Sequence, residues 1–133
     1  MNKKQKLDSI LKKRTYSMYA NCKKRAKKEN LPFNITIQAI REKAEDARHA
    51  LCQYCVTRIN EKTISLDHII PIQRGGEHTD ENTETCCLRC NKIKGNMTKA
   101  EFRHFLDCLR PIDPIAIKSI LARIYAGGRF ICN

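Results

Sequence analysis

Apolar residues between Lys6 and Lys28 recur at Leu7, Ile10, Leu11, Met18, Tyr19, Cys22 and Ala26, one stripe at helical period with lysines and arginines on the other faces. The pattern predicts a basic amphipathic helix. Asn30-Leu-Pro-Phe breaks it, since a residue before proline avoids the helical region. Thr36 can N-cap a second helix with the stripe Ile37, Ile40, Ala44, Ala47 and Leu51. From Leu51 to Gly95 the texture changes to short apolar runs, turn residues and clustered Cys, His and Asn. Ile64-Ser-Leu-Asp-His-Ile-Ile-Pro reads as a strand ended by proline. Arg74-Gly-Gly-Glu opens a loop, Thr83–Thr85 forms a short return strand, and Cys87 to Lys94 is a brief helix closed by Gly95 in the left-handed cap position.

Thr98-Lys-Ala-Glu101 fits a capping box, in which threonine and glutamate satisfy each other's free amides at a helix start. Phe102, Phe105, Leu106 and Leu109 carry that helix to Arg110-Pro111. Asp113-Pro114 starts another, with Ile117, Ile120, Leu121 and Ile124 on its stripe and Gly127-Gly128 at its end. There is no internal repeat, low-complexity tract or long linker. With 133 residues, the expectation is a single compact domain of the α+β class. Residues 1–50 are a basic helical extension packed on the core, 51–97 the core itself, and 98–133 two C-terminal helices packing apolar stripes against it.

Charge sharpens this division. The net charge is +12, of which residues 1–28 hold +10 through eleven lysines and arginines and one acid, Asp8. A basic block ahead of a nearly neutral body suits a polyanion: nucleic acid first, a membrane surface as its rival. A solvated helix face is the plainer reading of the same lysines. The N-terminus lacks an apolar run of secretory length and nothing approaches a membrane span, which places the chain in a reducing cytoplasm.

In that compartment eight cysteines are thiols or metal ligands rather than a disulfide framework. Cys52-Gln-Tyr-Cys55 and Cys87-Leu-Arg-Cys90 are two CxxC pairs separated by 31 residues. Two such turns can close a four-sulfur tetrahedral zinc site, whose binding energy would stand in for scarce apolar volume. Two redox CxxC motifs or two disulfides are the competing reading. Cys22 and Cys108 lie on or near apolar stripes and are expected to be buried thiols. Cys86 competes with Cys87 as a ligand, but Cys87 alone makes a CxxC with Cys90. Cys132 has no assigned role.

A purely structural zinc module needs only its ligands, yet a polar cluster lies between the two cysteine pairs. Cys52-x-x-Cys55, Asp67-His68-Ile69-Ile70-Pro71, Gly75-Gly76, Asn82, Cys87-x-x-Cys90-Asn91 and Lys94-Gly95 occur in that order. Thirteen residues separate His68 from Asn82 and eight separate Asn82 from Asn91. The series resembles the HNH endonuclease family in its zinc-containing, four-cysteine ββα-metal form, over about a third of the chain. The resemblance implies a treble-clef-like ββα-metal core with a structural zinc, flanked by N- and C-terminal helices. It implies a DNA endonuclease in which His68 is the general base, Asp67 and Asn91 hold a catalytic Mg2+ or Mn2+, and Asn82 orients His68 and its loop. Lys94 would contact phosphate. Asn91 departs from the histidine that many members carry at this third signature position, making the chain an HNN variant, and this touches the metal preference.

The chemistry fits those residue types. An imidazole can take a proton from water near neutral pH, and a carboxylate with an amide oxygen suits a hard divalent cation. On a regular strand Asp67 and His68 point to opposite faces, serving metal and water separately. Read singly, His68 is a hydrogen-bonded strand-end histidine and Asn82 a turn cap. His49, His78 and His104 are expected to be solvated. Lys23, Lys24, Arg25, Lys27 and Lys28, with Arg74 and Lys92 nearer the chemistry, would meet DNA phosphates. The rival function is a non-catalytic zinc-containing DNA-binding or adaptor protein retaining an HNH skeleton. Small proteins resembling this chain occur in phages, mobile elements and restriction systems, and the chain itself is expected to be a monomer, a weak homodimer or part of a larger phage or restriction assembly.

Overall fold

The basic stripe folds as a 27-residue helix, α1 (Lys3–Glu29), opened by a capping box between Asn2 and Gln5 and closed by Asn30 at φ 52°. It turns Leu11, Thr15, Met18 and Ala26 inward and leaves its lysines in solvent. The structure is a computed structural model that describes residues 1–127, so the expectations for Gly128 and Cys132 fall outside the described residues. Among those residues no helix is long and apolar enough to cross a membrane.

After β1 (Phe33–Asn34), Thr36 caps α2 (Ile37–Ala47) by accepting from the Ala39 N–H. This helix buries Ile40, Ala44 and Ala47 and packs between α1 and the central sheet. It stops one turn short of the expected stripe. Arg48 is drawn to Asp8 and Glu61, and the backbone turns at His49, φ 66°, whose N–H donates to Ile59 O. Leu51 is consequently exposed, bridged to Arg58.

The centre is β2 (Ile64–His68) paired antiparallel with β4 (Thr83–Cys87), in a register that sets Ile64 against Cys87 and His68 against Thr83. The return strand is thus two residues longer than Thr83–Thr85. It runs directly into α3 (Leu88–Lys94), for which Cys87 is the N-cap. Gly95 ends α3 at φ 52°, ψ −123°, a conformation open to glycine but outside the left-handed helical cap expected. Between the strands a single 3-10 turn, Ile72–Arg74, precedes β3 (His78–Thr79). The parallel pairing of β3 with β1, Phe33 against His78, has no forerunner in the sequence pattern.

The β2–β4 loop is held by one side chain. Asn82 Nδ2 donates to Ile70 O and Glu77 O, both at 2.9 Å, while its Oδ1 accepts from Ile70 N at 3.0 Å. Gly76 lies so close that a Cβ there would stand 1.8 Å from Ile70 O and 2.9 Å from Asn82 Nδ2. Gly75 is required for a different reason, its φ of 84°.

The capping box at Thr98 and Glu101 starts α4 (Lys99–Leu109), which buries Phe102 and Leu109. Phe102 meets Tyr54 edge-on at 4.8 Å between centroids. Asp113 and Pro114 start α5 (Pro114–Tyr125) as expected, but its stripe is only half-buried, with Leu121 and Ile124 resting on the core beside α3. The core joins Ile40, Ala44, Ile59, Ile64, Cys86, Ile93 and Phe102, and full burial of each large apolar side chain contributes about 1.5–3 kcal/mol.

Two substitutions test these fastenings. Arg48 bonds Asp8 Oδ1 at 2.6 Å and Glu61 Oε1 at 2.7 Å, joining α1 to the segment before β2. Arg48→Ala leaves the buried Glu61 carboxylate without its guanidinium and should cost about 3 kcal/mol in denaturant unfolding. Burial pushes Glu61 up, but its backbone bond and Arg48 outweigh this and hold it below the usual carboxylate range. Its contribution is therefore complete above the unfolded-state value and is lost as pH falls through the lower folded one. Gly76→Ala should cost roughly 2 kcal/mol through forced displacement of the Ile70–Asn82 clamp, read as a lowered Tm.

Candidate metal centre and polar cleft

Each cysteine pair lies on a tight element. Cys52 and Cys55 bracket the turn after Leu51, where Val56 N–H closes onto Cys52 O at 3.0 Å; Cys87 and Cys90 form the N-cap and first turn of α3. The β2–β4 register carries the second pair to the first. All four Sγ atoms lie within 4.8 Å of one another, with Cys55 and Cys87 at 3.7 Å. A tetrahedral zinc with sulfur at ~2.3 Å has edges of about 3.8 Å, so the cluster could hold a metal such as zinc. Backbone N–H groups of Cys87 and Cys90 point at Cys52 Sγ and Cys87 Sγ, each at 3.4 Å. The Cys90 thiol and the Cys87, Tyr54 and Cys55 N–H donors bring Cys52 down to about 4 against its own burial.

The other cysteines separate from this group. Cys86 points the opposite way on β4 into the core, 3.9 Å from Ser65 Oγ, and burial drives its thiol well above the ordinary range. Cys22 is half-buried against the core, whereas Cys108 is exposed beside His104, contrary to its expected burial. Cys108 falls off the stripe of Phe102, Phe105, Leu106 and Leu109 and so lies on the solvent side.

Three of the signature residues, Asp67, His68 and Asn91, meet in a polar cleft of about 250 Å³ whose walls also include Arg25, Lys92 and Asn96. A larger apolar groove, about 730 Å³, runs along α3, α4 and α5 past Leu88, Phe102 and Leu121. Asp67 and His68 end β2 and are both buried, with partners on different sides. Asp67 Oδ1 accepts from Lys94 Nζ at 3.1 Å, and its buried Oδ2 has no partner among the described residues. Burial raises the Asp67 carboxyl while Lys94 opposes the rise. Asn91, on α3, donates from Nδ2 to Ser65 Oγ at 2.8 Å and Leu66 O at 3.0 Å, which leaves its amide oxygen as a ligand atom.

His68 Nδ1 lies 3.4 Å from the Arg25 guanidinium and its Nε2 lies 3.3 Å from His78 Nδ1. Desolvation, then the charge of Arg25, His78 and Lys94, lowers its pKa to about 4. Asn82 touches the loop rather than the imidazole: its backbone oxygen accepts from Ile69 N at 2.9 Å while its side chain clamps Ile70.

Several charged residues stand elsewhere than expected. Lys94 is 1% exposed, its ammonium shared between Asp67 Oδ1 and His68 O at 2.9 Å, so in this arrangement it is a buried brace with no surface for phosphate. Arg74 is surface-exposed but forks onto Glu101 at 2.9 and 3.1 Å. Lys92 sits over the Tyr125 ring at 4.5 Å on the cleft's rim. Of the N-terminal cations Arg25 reaches the cleft, while Lys23, Lys24, Lys27 and Lys28 stay exposed on the last turns of α1. His49 and His104 are solvated as expected; His78 is not, being 1% exposed behind Phe33 and His68. The sequence signal that could have found it is its place two residues after Gly76, in the loop that the glycines draw against β2.

The same stretch of chain is the one shared with known proteins. Over 46 residues, 34% of the chain, the sequence is 41% identical to a CRISPR-associated endonuclease Cas9 of Corynebacterium diphtheriae, and this spans 4% of that protein's length. Residues 52–106 match the family model described as HNH endonuclease, from the first cysteine pair through the sheet and α3 into α4. The segment that gathers the thiols, Asp67, His68, Asn82 and Asn91 is thus the one that is similar to HNH endonucleases.

Proposed function

We propose that the chain is a metal-dependent endonuclease hydrolysing DNA phosphodiester bonds, with a structural zinc on Cys52, Cys55, Cys87 and Cys90. The observation that carries this is the buried, unpartnered Asp67 Oδ2 in one cleft with the Asn91 amide and the His68 imidazole. Those oxygens fit a hard divalent ion such as Mg2+ or Mn2+. When bound, such an ion supplies charge neutralisation at the phosphate and at the leaving 3′ oxygen. His68 accepts a proton from water as the water oxygen bonds to phosphorus; the bond to the 3′ oxygen breaks, and that oxygen is protonated from solvent. Asn82 holds the loop beside His68, and Lys94 fixes Asp67 Oδ1. Lys23, Lys24, Arg25, Lys27, Lys28 and Lys92 bind the DNA backbone, so affinity falls steeply with salt. The setting is the cytoplasm of a bacterial or phage-infected cell.

Two contacts favour the rival reading, a zinc-containing DNA-binding protein that does not cut: the Lys94 ammonium already neutralises Asp67, and Arg25 already covers the imidazole nitrogen. Supercoiled plasmid incubated with Mg2+, Mn2+ or EDTA separates the two. Nicked or linear product that needs the divalent ion, lost by about 10²-fold or more in His68→Ala while DNA binding and zinc content persist, is the expected outcome. A zinc-loaded, DNA-binding wild type that cuts with neither ion establishes the rival.

The zinc has its own test. Metal analysis should find one zinc per chain, and Cys52→Ser should lose both the metal and cooperative unfolding. Cys86→Ser should keep the stoichiometry.

A further inference from the structure

Arg25, His68 and His78 form a line of nitrogens whose hydrogen-bonding roles are determined from one end. A guanidinium only donates, so the His68 Nδ1 facing Arg25 at 3.4 Å must be the bare nitrogen of the ring. A neutral imidazole then carries its proton on Nε2, and Nε2 faces His78 Nδ1 at 3.3 Å. His78 Nδ1 must accept, which puts the His78 proton on its own Nε2. That atom is buried and has no partner among the described residues. The reverse assignment, His78 donating to His68 Nε2, would set a His68 Nδ1–H against the Arg25 donor. Burial, followed by the charge of Arg25, holds His78 below its ordinary value, which keeps its acceptor nitrogen bare.

We propose that His78 is the positioning residue for His68, its Nδ1 holding the proton on His68 Nε2 so that Nδ1 presents the lone pair to the cleft. This rests on the reading of His68 as the base. The unpaired Nε2–H argues for the role, since an apolar side chain would fill the position without stranding a donor; what the imidazole adds is the acceptor. The surroundings hold that acceptor in place. β3 pairs with β1 at Phe33 and His78, the Phe33 ring lies 6.0 Å from His78, and the two imidazoles meet edge-on at 5.1 Å. When His68 takes a proton on Nδ1, the charge it gains is shared with His78 through the Nε2–H already in place. Arg25 occupies the same lone pair from the DNA-binding helix, so a phosphate that draws the guanidinium away frees the nitrogen that water needs.

Nitrogen-15 NMR of the zinc-loaded full chain at neutral pH reads the tautomers directly and does not depend on cleavage. The expected spectrum has both His68 and His78 protonated on Nε2. His78→Leu should leave His68 as a tautomer mixture and lower kcat roughly tenfold or more with KM for DNA and zinc content unchanged. His78→Asn, which offers an amide oxygen where Nδ1 stood, should restore both. A wild-type His68 protonated on Nδ1 overturns the proposal, as does His78→Leu with an unaltered His68 tautomer or an unaltered kcat. If the wild type cuts no DNA, the reading of His68 as a base fails, while the spectrum still decides whether His78 sets its tautomer. Should His78→Leu not fold, the wild-type spectrum and His78→Asn decide alone.

Discussion

Everything chemical in this molecule depends on five residues of antiparallel pairing. With Ile64 opposite Cys87 and His68 opposite Thr83, the second cysteine pair arrives beside the first, and α3 leaves the sheet with Asn91 and Lys94 turned toward the end of β2. A slip of one residue would reverse every side chain across the sheet. Cys86 would then face the other thiols in place of Cys87, and Asp67 would leave Lys94. The thiol cluster and the buried Lys94 bridge lie toward opposite ends of this pairing, so they secure the register from both sides.

The bridge is an unusual means of doing so. Lysine is among the side chains least often fully buried, and an ammonium taken out of water needs a counter-charge and hydrogen-bond acceptors. Lys94 donates to a carboxylate and to a backbone oxygen of adjacent residues, which fastens the last turn of α3 to the end of β2. Local order in the cleft thus comes from charge and hydrogen bonds. The apolar core, with Cys86, Ile64 and Phe102 among its buried members, excludes water beside it.

What could be read from the sequence was local and periodic. The stripe of α1, the caps at Thr36, Thr98 and Asp113, and both CxxC turns carry their signal within a few residues, and each is present. The ordered series from Cys52 to Gly95 located the region, and the fold brings Asp67, His68 and Asn91 to one cleft. What escaped was set by partners distant in sequence. His78 is buried because Phe33, 45 residues earlier, forms a two-residue parallel bridge with it, too short to leave a pattern. Lys94 looks like a surface cation until Asp67 is placed beneath it, and Leu51 looks like helix stripe until Arg48 is pulled toward Asp8 and Glu61. The place of Arg25 on the cleft wall belongs to the same class, since it depends on where the last turns of α1 pack.

The length of α1 has a consequence for how the molecule behaves before it touches anything. At 1.5 Å per residue its 27 residues form a rod about 40 Å long, and ten of the twelve net charges lie in residues 1–28. The centre of charge is therefore displaced from the centre of mass. In the field of any polyanion the molecule experiences a torque as well as an attraction, and it turns its rod toward the source while still at a distance. Because Arg25 lies on that rod and also on the wall of the cleft, the rotation that aligns the charge also carries that wall toward the source.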